Sequence, residues 1–304
     1  MQHRQGHTIF ISGASRGIGR AMAERWAQEG ANLILAAKTL VQHDKLPGSL
    51  EETAAAVQAA GGQALCVVMD VRDEASVQAA VDTGAAHFGG IDVCINNAAA
   101  FHMQPSMQTS AKRHDLLFAI NERGAWLTTR ACYPHLQASA KQGRKPHVLS
   151  LAPPIDVRGV WFEHTSCYSV SKYALSLYTL GWAREFAADG IAANCLWPRT
   201  GIESPAALVH GGPELLREFR SARIMADAAQ AIISQPTSYT GQFCIDDSSL
   251  AELAGVKDFD AYSVQAGAAL VPDYFIPAHR PAPEGVQLSR FRLYELGEDH
   301  PPMG

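Results

Sequence analysis

Two stretches of this chain carry residue types at spacings that suit chemistry. Tyr168 and Lys172, in Tyr168-Ser169-Val170-Ser171-Lys172, stand four residues apart, so on a helix their side chains share one face. An ammonium beside a phenol favours the phenolate and lowers a phenol pKa that otherwise sits near ~10. Tyr168 would then give and accept a proton near neutral pH. Alone, such a pair is most often two neighbours on a helix surface. A second stretch changes that reading. Ser12-Gly13-Ala14-Ser15-Arg16-Gly17-Ile18-Gly19 follows a short apolar run and opens a helical pattern, the setting in which such glycines cradle a dinucleotide. Gly13 permits the turn, Gly17 lets the backbone approach a pyrophosphate, and Gly19 allows a helix to pack close to a strand. The unpaired amides and positive dipole end of that helix would face the phosphates.

The elements that must hold these residues follow from periodicity. Strands are predicted over Thr8–Ser12, Asn32–Ala37, Ala64–Met69, Ile91–Asn96, His147–Leu151, Ile191–Leu196 and Phe243–Asp246. Helical spacing falls between them, over Arg20–Glu29, Glu51–Ala60, Glu74–Phe88, Leu116–Leu136 and Ser166–Ala188, with Gly30 and Gly61-Gly62 as stops. The alternation predicts an α/β fold with a doubly wound, mostly parallel seven-stranded sheet and helices on both faces. Residues 1–247 form the expected Rossmann domain. Residues 248–304 are rich in proline, too few for a second domain, and expected to pack on the first. Asp246-Asp247 is read as the end of the last strand. A proton donor set beside a dinucleotide cradle in such a fold implies an oxidoreductase.

Composition narrows the classes. The 304 residues are 47 % hydrophobic and carry a net charge of −5, so nothing basic points to nucleic acid. No apolar run is long enough to span a bilayer. The N-terminus reaches the first strand directly, so no signal peptide is expected. Cys66, Cys94, Cys132, Cys167, Cys195 and Cys244 are scattered without a Cys-x-x-Cys pair, which fits reduced thiols and a cytoplasmic setting. His102, His114 and His164 lack metal-ligand spacing, and no metal site is expected. Phe101, His102, Met103, Trp161, Phe162 and Trp197 are predicted to flank the mouth of the site and, as a group, to favour an apolar pocket.

Taken together, residues 7 to 247 resemble the short-chain dehydrogenase/reductase family. The Gly13, Gly17 and Gly19 spacing is similar to that family's, with Ser12 where Thr is more usual. Asn96-Asn97-Ala98-Ala99 resembles its Asn-Asn-Ala-Gly segment, and Asp70-Val71 its acidic site for the adenine amine. Asn121 resembles the helix asparagine that holds a water for proton relay, Tyr168 and Lys172 the catalytic pair, and Asn194-Cys195-Leu196-Trp197-Pro198 the segment before the nicotinamide loop. The resemblance implies Tyr168, Lys172 and Asn121 as catalytic residues. It implies Gly13, Ser15, Arg16, Gly17, Ile18, Gly19, Lys38, Asp70, Val71, Asn97, Ala98 and Pro198 as cofactor contacts, joined by Tyr168 and Lys172. Ala36-Ala37-Lys38-Thr39, Pro153-Pro154, Val160-Trp161-Phe162 and Leu196-Trp197-Pro198-Arg199-Thr200 resemble the hydroxysteroid dehydrogenase-like branch. In animals that branch often carries a sterol-carrier domain, which is not expected here. The analogy implies a small apolar carbonyl or alcohol substrate.

NADP is the expected cofactor. Ala37 stands where an acidic residue would bind the ribose hydroxyls of NAD, and Lys38 and Arg16 offer charge to a 2′-phosphate. The chain departs from the family at the catalytic serine. Ala152 and Pro153 align with the usual Ser-Ser, and no Ser or Thr occurs from Leu151 through His164. Ser150 should face the other side of the strand. Thr165, Ser166, His164 or a water on Asn121 are the remaining candidate donors. A cofactor-binding protein with little turnover is therefore the alternative reading. Self-association as a homodimer or homotetramer is expected. The family's pairing helices here hold Leu116, Leu117, Trp126, Leu127, Leu175, Leu177, Tyr178 and Trp182, more apolar surface than one sheet face needs.

Overall fold

A computed structural model describes residues 5–42 and 47–290, apart from the side chains of 206 and 209–211. Expectations for residues 1–4, 43–46 and 291–304 lie outside the described residues. Seven parallel strands form one sheet among the described residues: β1 Thr8–Ser12, β2 Asn32–Ala37, β3 Gln63–Val68, β4 Val93–Asn96, β5 His147–Leu151, β6 Ala192–Trp197 and β7 Phe243–Ile245. Their order is β3-β2-β1-β4-β5-β6-β7. The chain reverses direction across the sheet between β1 and β4, and a crevice opens there beyond the carboxyl ends of the strands.

Strand alternation divides the core. Ile9, Ile11, Leu33, Leu35 and Leu149 face one side, where α1 (Gly17–Ala27), α2 (Leu50–Ala59), α8 (Arg223–Ile233) and α9 (Asp246–Ala254) pack. Phe10, Ile34, Val148 and Ala193 face the other, under α3 (Glu74–Phe88), α5 (Ala125–Lys141) and α6 (Ser166–Glu185). Buried on both faces, the strands inside the edge strand β3 read as nearly unbroken apolar runs. A third apolar cluster lies apart from these two, and it includes Tyr168, Trp161, Trp197, Phe219, Tyr274 and Phe275.

Three regions differ from the sequence reading. The helix predicted over Leu116–Leu136 is α4 (Ala111–Phe118) and α5 joined by a π-helical turn, Ala119–Gly124. The apolar period runs on through the joint, which is why the sequence shows no break, yet the extra residue per turn redirects Asn121. Helices α7 (Pro205–Leu216) and α8 were not predicted, although Ile224, Ala228 and Ile232 of α8 repeat every four residues and are buried. Asp246 and Asp247 do not end a strand but open α9. Acidic residues suit a helix N-terminus, and the Asp246 carboxylate accepts from the Asp247 amide at 2.8 Å.

After α9 the chain crosses to the carboxyl ends of the strands. Val271 accepts from the Gly201 amide at 2.9 Å, the Asp273 amide donates to Arg199 at 2.8 Å, and the Trp197 indole donates to the Tyr274 carbonyl at 2.9 Å.

Candidate active site

The first turn is built by close approach. Gly13 lies at φ +71°, and a Cβ there would come within 2.9 Å of Ala98. At Gly19 a Cβ would meet the Gly13 carbonyl at 2.5 Å, so α1 sits against the turn only because that position is glycine. The Ser12 hydroxyl accepts from the amides of Asn97 and Ala98 at 3.1 and 3.2 Å, and the Asn97 amide donates to the carbonyls of Ser12 and Gly13 at 2.9 and 3.0 Å. These bonds join the glycine turn to the loop after β4.

A cavity of about 470 Å³ lies beside that turn, lined by Gly13, Ser15, Arg16, Ile18, Lys38, Asp70, Val71, Asn97 and Ala98. Nine of the predicted cofactor contacts are thus gathered at one place, and Gly17 lies outside this lining in a neighbouring groove. The cations are arranged differently from the sequence reading. Arg16 donates to the Gly48 carbonyl at 3.0 Å, and its buried Nε has no hydrogen-bond partner among the described residues. Lys38 approaches Asp70 at 3.3 Å. Arg72, which the sequence reading missed, grips both oxygens of Asp70 at 2.9 and 2.6 Å. The Arg72 guanidinium, helped by Lys38, holds the Asp70 carboxyl far below the usual range. The Asp-x-Arg spacing was the available signal.

A second cavity, about 290 Å³, shares Ile18, Asn97, Ala99 and Ser204 with the first, so one cleft runs from the glycine turn to Tyr168 and Lys172. Its apolar lining includes Phe101, Leu151, Trp197, Ile202, Phe219 and Tyr274. Of the six residues predicted at the mouth, Phe101 and Trp197 line this space, while Met103 and Trp161 lie in the apolar cluster behind it. Pro198 also lines it.

Tyr168 and Lys172 occupy the first two turns of α6 and are both buried. The Phe101 ring stands edge-on to Tyr168 at 5.3 Å. Lys172 donates to the Leu151 carbonyl at 2.5 Å and lies 5.2 Å above the Trp197 ring. The expected lowering of the phenol pKa is not found in this arrangement. Burial, with Asp273 adding to it, pushes the Tyr168 phenol up, and burial pushes Lys172 down to about 8. Desolvation sets the direction, and the Lys172 ammonium gives its hydrogen bond to the backbone of β5.

Asn121 is fully buried and does not line the cleft. Its amide donates to the Ala100 carbonyl at 2.9 Å and to the Ser171 hydroxyl at 3.0 Å, and its oxygen accepts from the Ala100 amide at 2.7 Å. The side chain is a clamp between the π-turn, the loop bearing Phe101 and α6.

The residues considered in place of the missing serine point elsewhere. Ser150 accepts from Thr179 at 2.8 Å beneath α6. Thr165 donates to Trp161 at 3.1 Å and Ser166 to Phe162 at 2.6 Å, while His164 stands 3.9 Å from Glu163. None of the four lines the cleft. Asp273 does, and the sequence reading missed it. Its only signal was an acid in the apolar tail segment Leu270-Val271-Pro272-Asp273-Tyr274. Among the described residues no group of His, Cys, Asp and Glu is arranged to hold a metal ion.

Residues 7–206 match the short chain dehydrogenase family. The chain is 48 % identical over 271 residues to hydroxysteroid dehydrogenase-like protein 2 of Danio rerio, covering 89 % of this chain and 64 % of that protein. It is 42 % identical over 281 residues to the Homo sapiens protein of the same name, covering 92 % of this chain and 65 % of that one. A crystal structure of a short chain dehydrogenase from Mycobacterium thermoresistibile superposes with a TM-score of 0.86 at 39 % identity, covering 94 % of this chain and 99 % of that one. The chain thus spans a little under two-thirds of these two animal relatives and nearly all of the mycobacterial one. It belongs to the short-chain dehydrogenase/reductase family, within the hydroxysteroid dehydrogenase-like branch.

Proposed function

We propose that the chain is an NADP(H)-dependent oxidoreductase that interconverts an apolar carbonyl compound and its alcohol, with Tyr168 as proton donor and acceptor. The observation that carries this reading is the single cleft that joins the glycine turn to Tyr168 and Lys172. The residues present fit a dinucleotide: the turn admits no Cβ at Gly13 or Gly19, and Arg16 brings an unpartnered guanidinium nitrogen to the same cavity. Gly13, Ser15, Ile18, Asn97 and Ala98 would hold its backbone, with Lys38, Arg16 and Arg72 on the 2′-phosphate side and Lys172 near the nicotinamide ribose. When bound, the nicotinamide supplies or takes up the hydride. Tyr168 delivers the proton to the carbonyl oxygen, Lys172 restores charge balance beside it, and Asn121 positions the loop that bears Phe101. The apolar lining and the hydroxysteroid label of the animal relatives point alike to a steroid-like or fatty substrate. A cytoplasmic setting accords with six free thiols, and among the described residues no helix is long and apolar enough to cross a membrane.

A panel of carbonyl compounds and alcohols followed at the NADPH absorbance is expected to show turnover, with NADP(H) binding tighter than NAD(H). Equal or tighter NAD(H) binding removes the cofactor assignment, and no turnover across the panel removes the enzyme. The second reading, a cofactor-binding protein with little turnover, is favoured by one feature: Ala152 and Pro153 bring no hydroxyl, and Ser150 is held under α6.

Self-association is proposed through α6 and its neighbours. Leu175 and Trp182 pack inward, but Leu177, Tyr178 and Leu180 are exposed, and Leu177 and Tyr178 line a groove with Phe118 and Ala174. Light scattering at micromolar concentration is expected to give a dimer or tetramer, and Leu177→Glu to weaken it. A monomeric parent protein refutes the assignment.

A further inference from the structure

The segment after α9 places one acid in the substrate end of the cleft. Its backbone is fixed on both sides of that acid. Asp273 donates its amide to Arg199, and the Tyr274 carbonyl accepts from the Trp197 indole. Thr200 and Pro272 form an antiparallel bridge. Phe275 adopts φ +68°, a left-handed conformation that is strained for a bulky residue and persists only where packing over-determines it. Here the fully buried Phe275 ring lies 5.0 Å from Tyr173, 5.7 Å from Trp197 and 6.4 Å from Tyr168. A backbone held in this way lets the Asp273 side chain enter the space occupied by Tyr168 and Lys172.

One oxygen of Asp273 accepts from the Tyr274 amide at 2.6 Å, and the other has no hydrogen bond among the described residues. The Tyr168 hydroxyl likewise has none. Two unengaged groups that can donate protons in hydrogen bonds thus line one apolar cavity, in a member of a family that normally sets a serine hydroxyl beside the tyrosine.

We propose that Asp273 is a further catalytic residue, whose carboxylic acid donates a hydrogen bond to the same substrate oxygen that Tyr168 protonates and so takes the place of the hydroxyl absent at Ala152 and Pro153. The inference rests on the reductase reading and deepens it. Asp273 keeps its proton throughout: the proton that ends on the product hydroxyl leaves Tyr168, and the hydride comes from the reduced cofactor. A neutral carboxylic acid in an apolar site can serve as such a donor. Burial and the neighbouring Asp246 push the Asp273 carboxyl up to about 8, against the Tyr274 amide and Lys172, which favour its ionised form. The groups facing it are therefore Lys172 and Tyr168 from α6 and Asp246 from α9. The donor is present below that pH and is lost above it.

The test compares Asp273→Ala and Asp273→Asn with the parent protein and with Tyr168→Phe, using a carbonyl substrate found in the panel. Asp273→Ala is expected to lose about 10²–10³ in turnover, as for removal of one oxyanion donor. Asp273→Asn keeps a donor and is expected to stay within a few-fold of the parent. It should also show a shallower alkaline fall, leaving only the part due to Lys172. A readout independent of turnover is the infrared band of a protonated carboxyl. The parent-minus-Asn difference spectrum should show it at neutral pH and lose it above about 8. NADPH affinity and melting temperature report whether each variant is folded. If Asp273→Ala does not fold, the near-isosteric Asp273→Asn decides through its pH profile and the band. Parental turnover in Asp273→Ala, or an Asp273→Asn as slow as a folded Asp273→Ala, overturns the donor and leaves the reductase standing, provided Tyr168→Phe is impaired. No band difference overturns it as well. A parent protein without turnover removes the reductase and the donor together.

Discussion

Tyr168→Phe is expected to lower turnover by at least the ~10²-fold typical of general acid catalysis, with NADPH affinity nearly unchanged. The substitution keeps the ring and so keeps its packing against Phe101 and Phe275. It removes only a hydroxyl that has no hydrogen bond among the described residues, so little stability depends on it. Lys172→Ala should damage more. It deletes a buried cation bonded to Leu151 and opens space beside Trp197, so turnover and NADPH affinity should fall together. Stopped assays that separate cofactor binding from turnover distinguish the two patterns. A Tyr168→Phe protein with parental turnover would show that another group delivers the proton.

The second large effect lies beneath the site. Asp247 accepts from Arg199 Nε at 2.7 Å on both oxygens and from Arg220 Nη1 at 3.0 Å, and all three side chains are essentially unexposed. Asp247→Ala leaves two guanidinium groups without their counter-charge in a region closed to water. Removing one partner of a buried pair costs about 3–5 kcal/mol, a fall on the order of 10 °C in melting temperature for a domain of this size. Because Arg199 also accepts from the Asp273 amide, the same variant should loosen the substrate end of the cleft. Asp246→Asn makes a sharp contrast one residue away. Asp246 Oδ1 accepts from the amides of Arg199 and Asp247, which an asparagine oxygen reproduces, while Oδ2 has no partner among the described residues. Burial and the Asp247 charge raise the Asp246 carboxyl to about 7 from 3.8. Its folded value lies above its unfolded one, so its stabilising contribution is full in acid and is lost as pH rises from near 3.8 through about 7. Asp246→Asn should flatten that slope and leave stability near neutral pH at or above the parent level. Chemical denaturation of both variants across this range checks the pair. Equal destabilisation by the two would show that the Asp247 ion pairs do not anchor this region.

The sheet and its cradle were legible in the amino-acid order because they rest on short-range physics. A short, nearly unbroken apolar run marks a parallel strand buried on both faces, a glycine is required wherever two backbones meet within 3 Å, and four-residue spacing sets Tyr168 and Lys172 on one helix face. Such features need only a few neighbours along the chain. What tertiary structure decided was the environment of those groups. The phenol is driven up, not down, because burial and an acid from about a hundred residues away act on it, while the ammonium is drawn to the carbonyl of Leu151. Asp70 is held by Arg72, and Asp247, read as a strand end, lies in the first turn of a helix and pairs with Arg199 and Arg220. Asn121 becomes a clamp through a π-turn that leaves the apolar period intact. Asp273 could not be placed from its neighbours, since a proline-containing tail has no period that says where it will lie. Desolvation and charge pairing depend on which distant segments exclude water from a site, and that is settled only when the chain has closed upon itself.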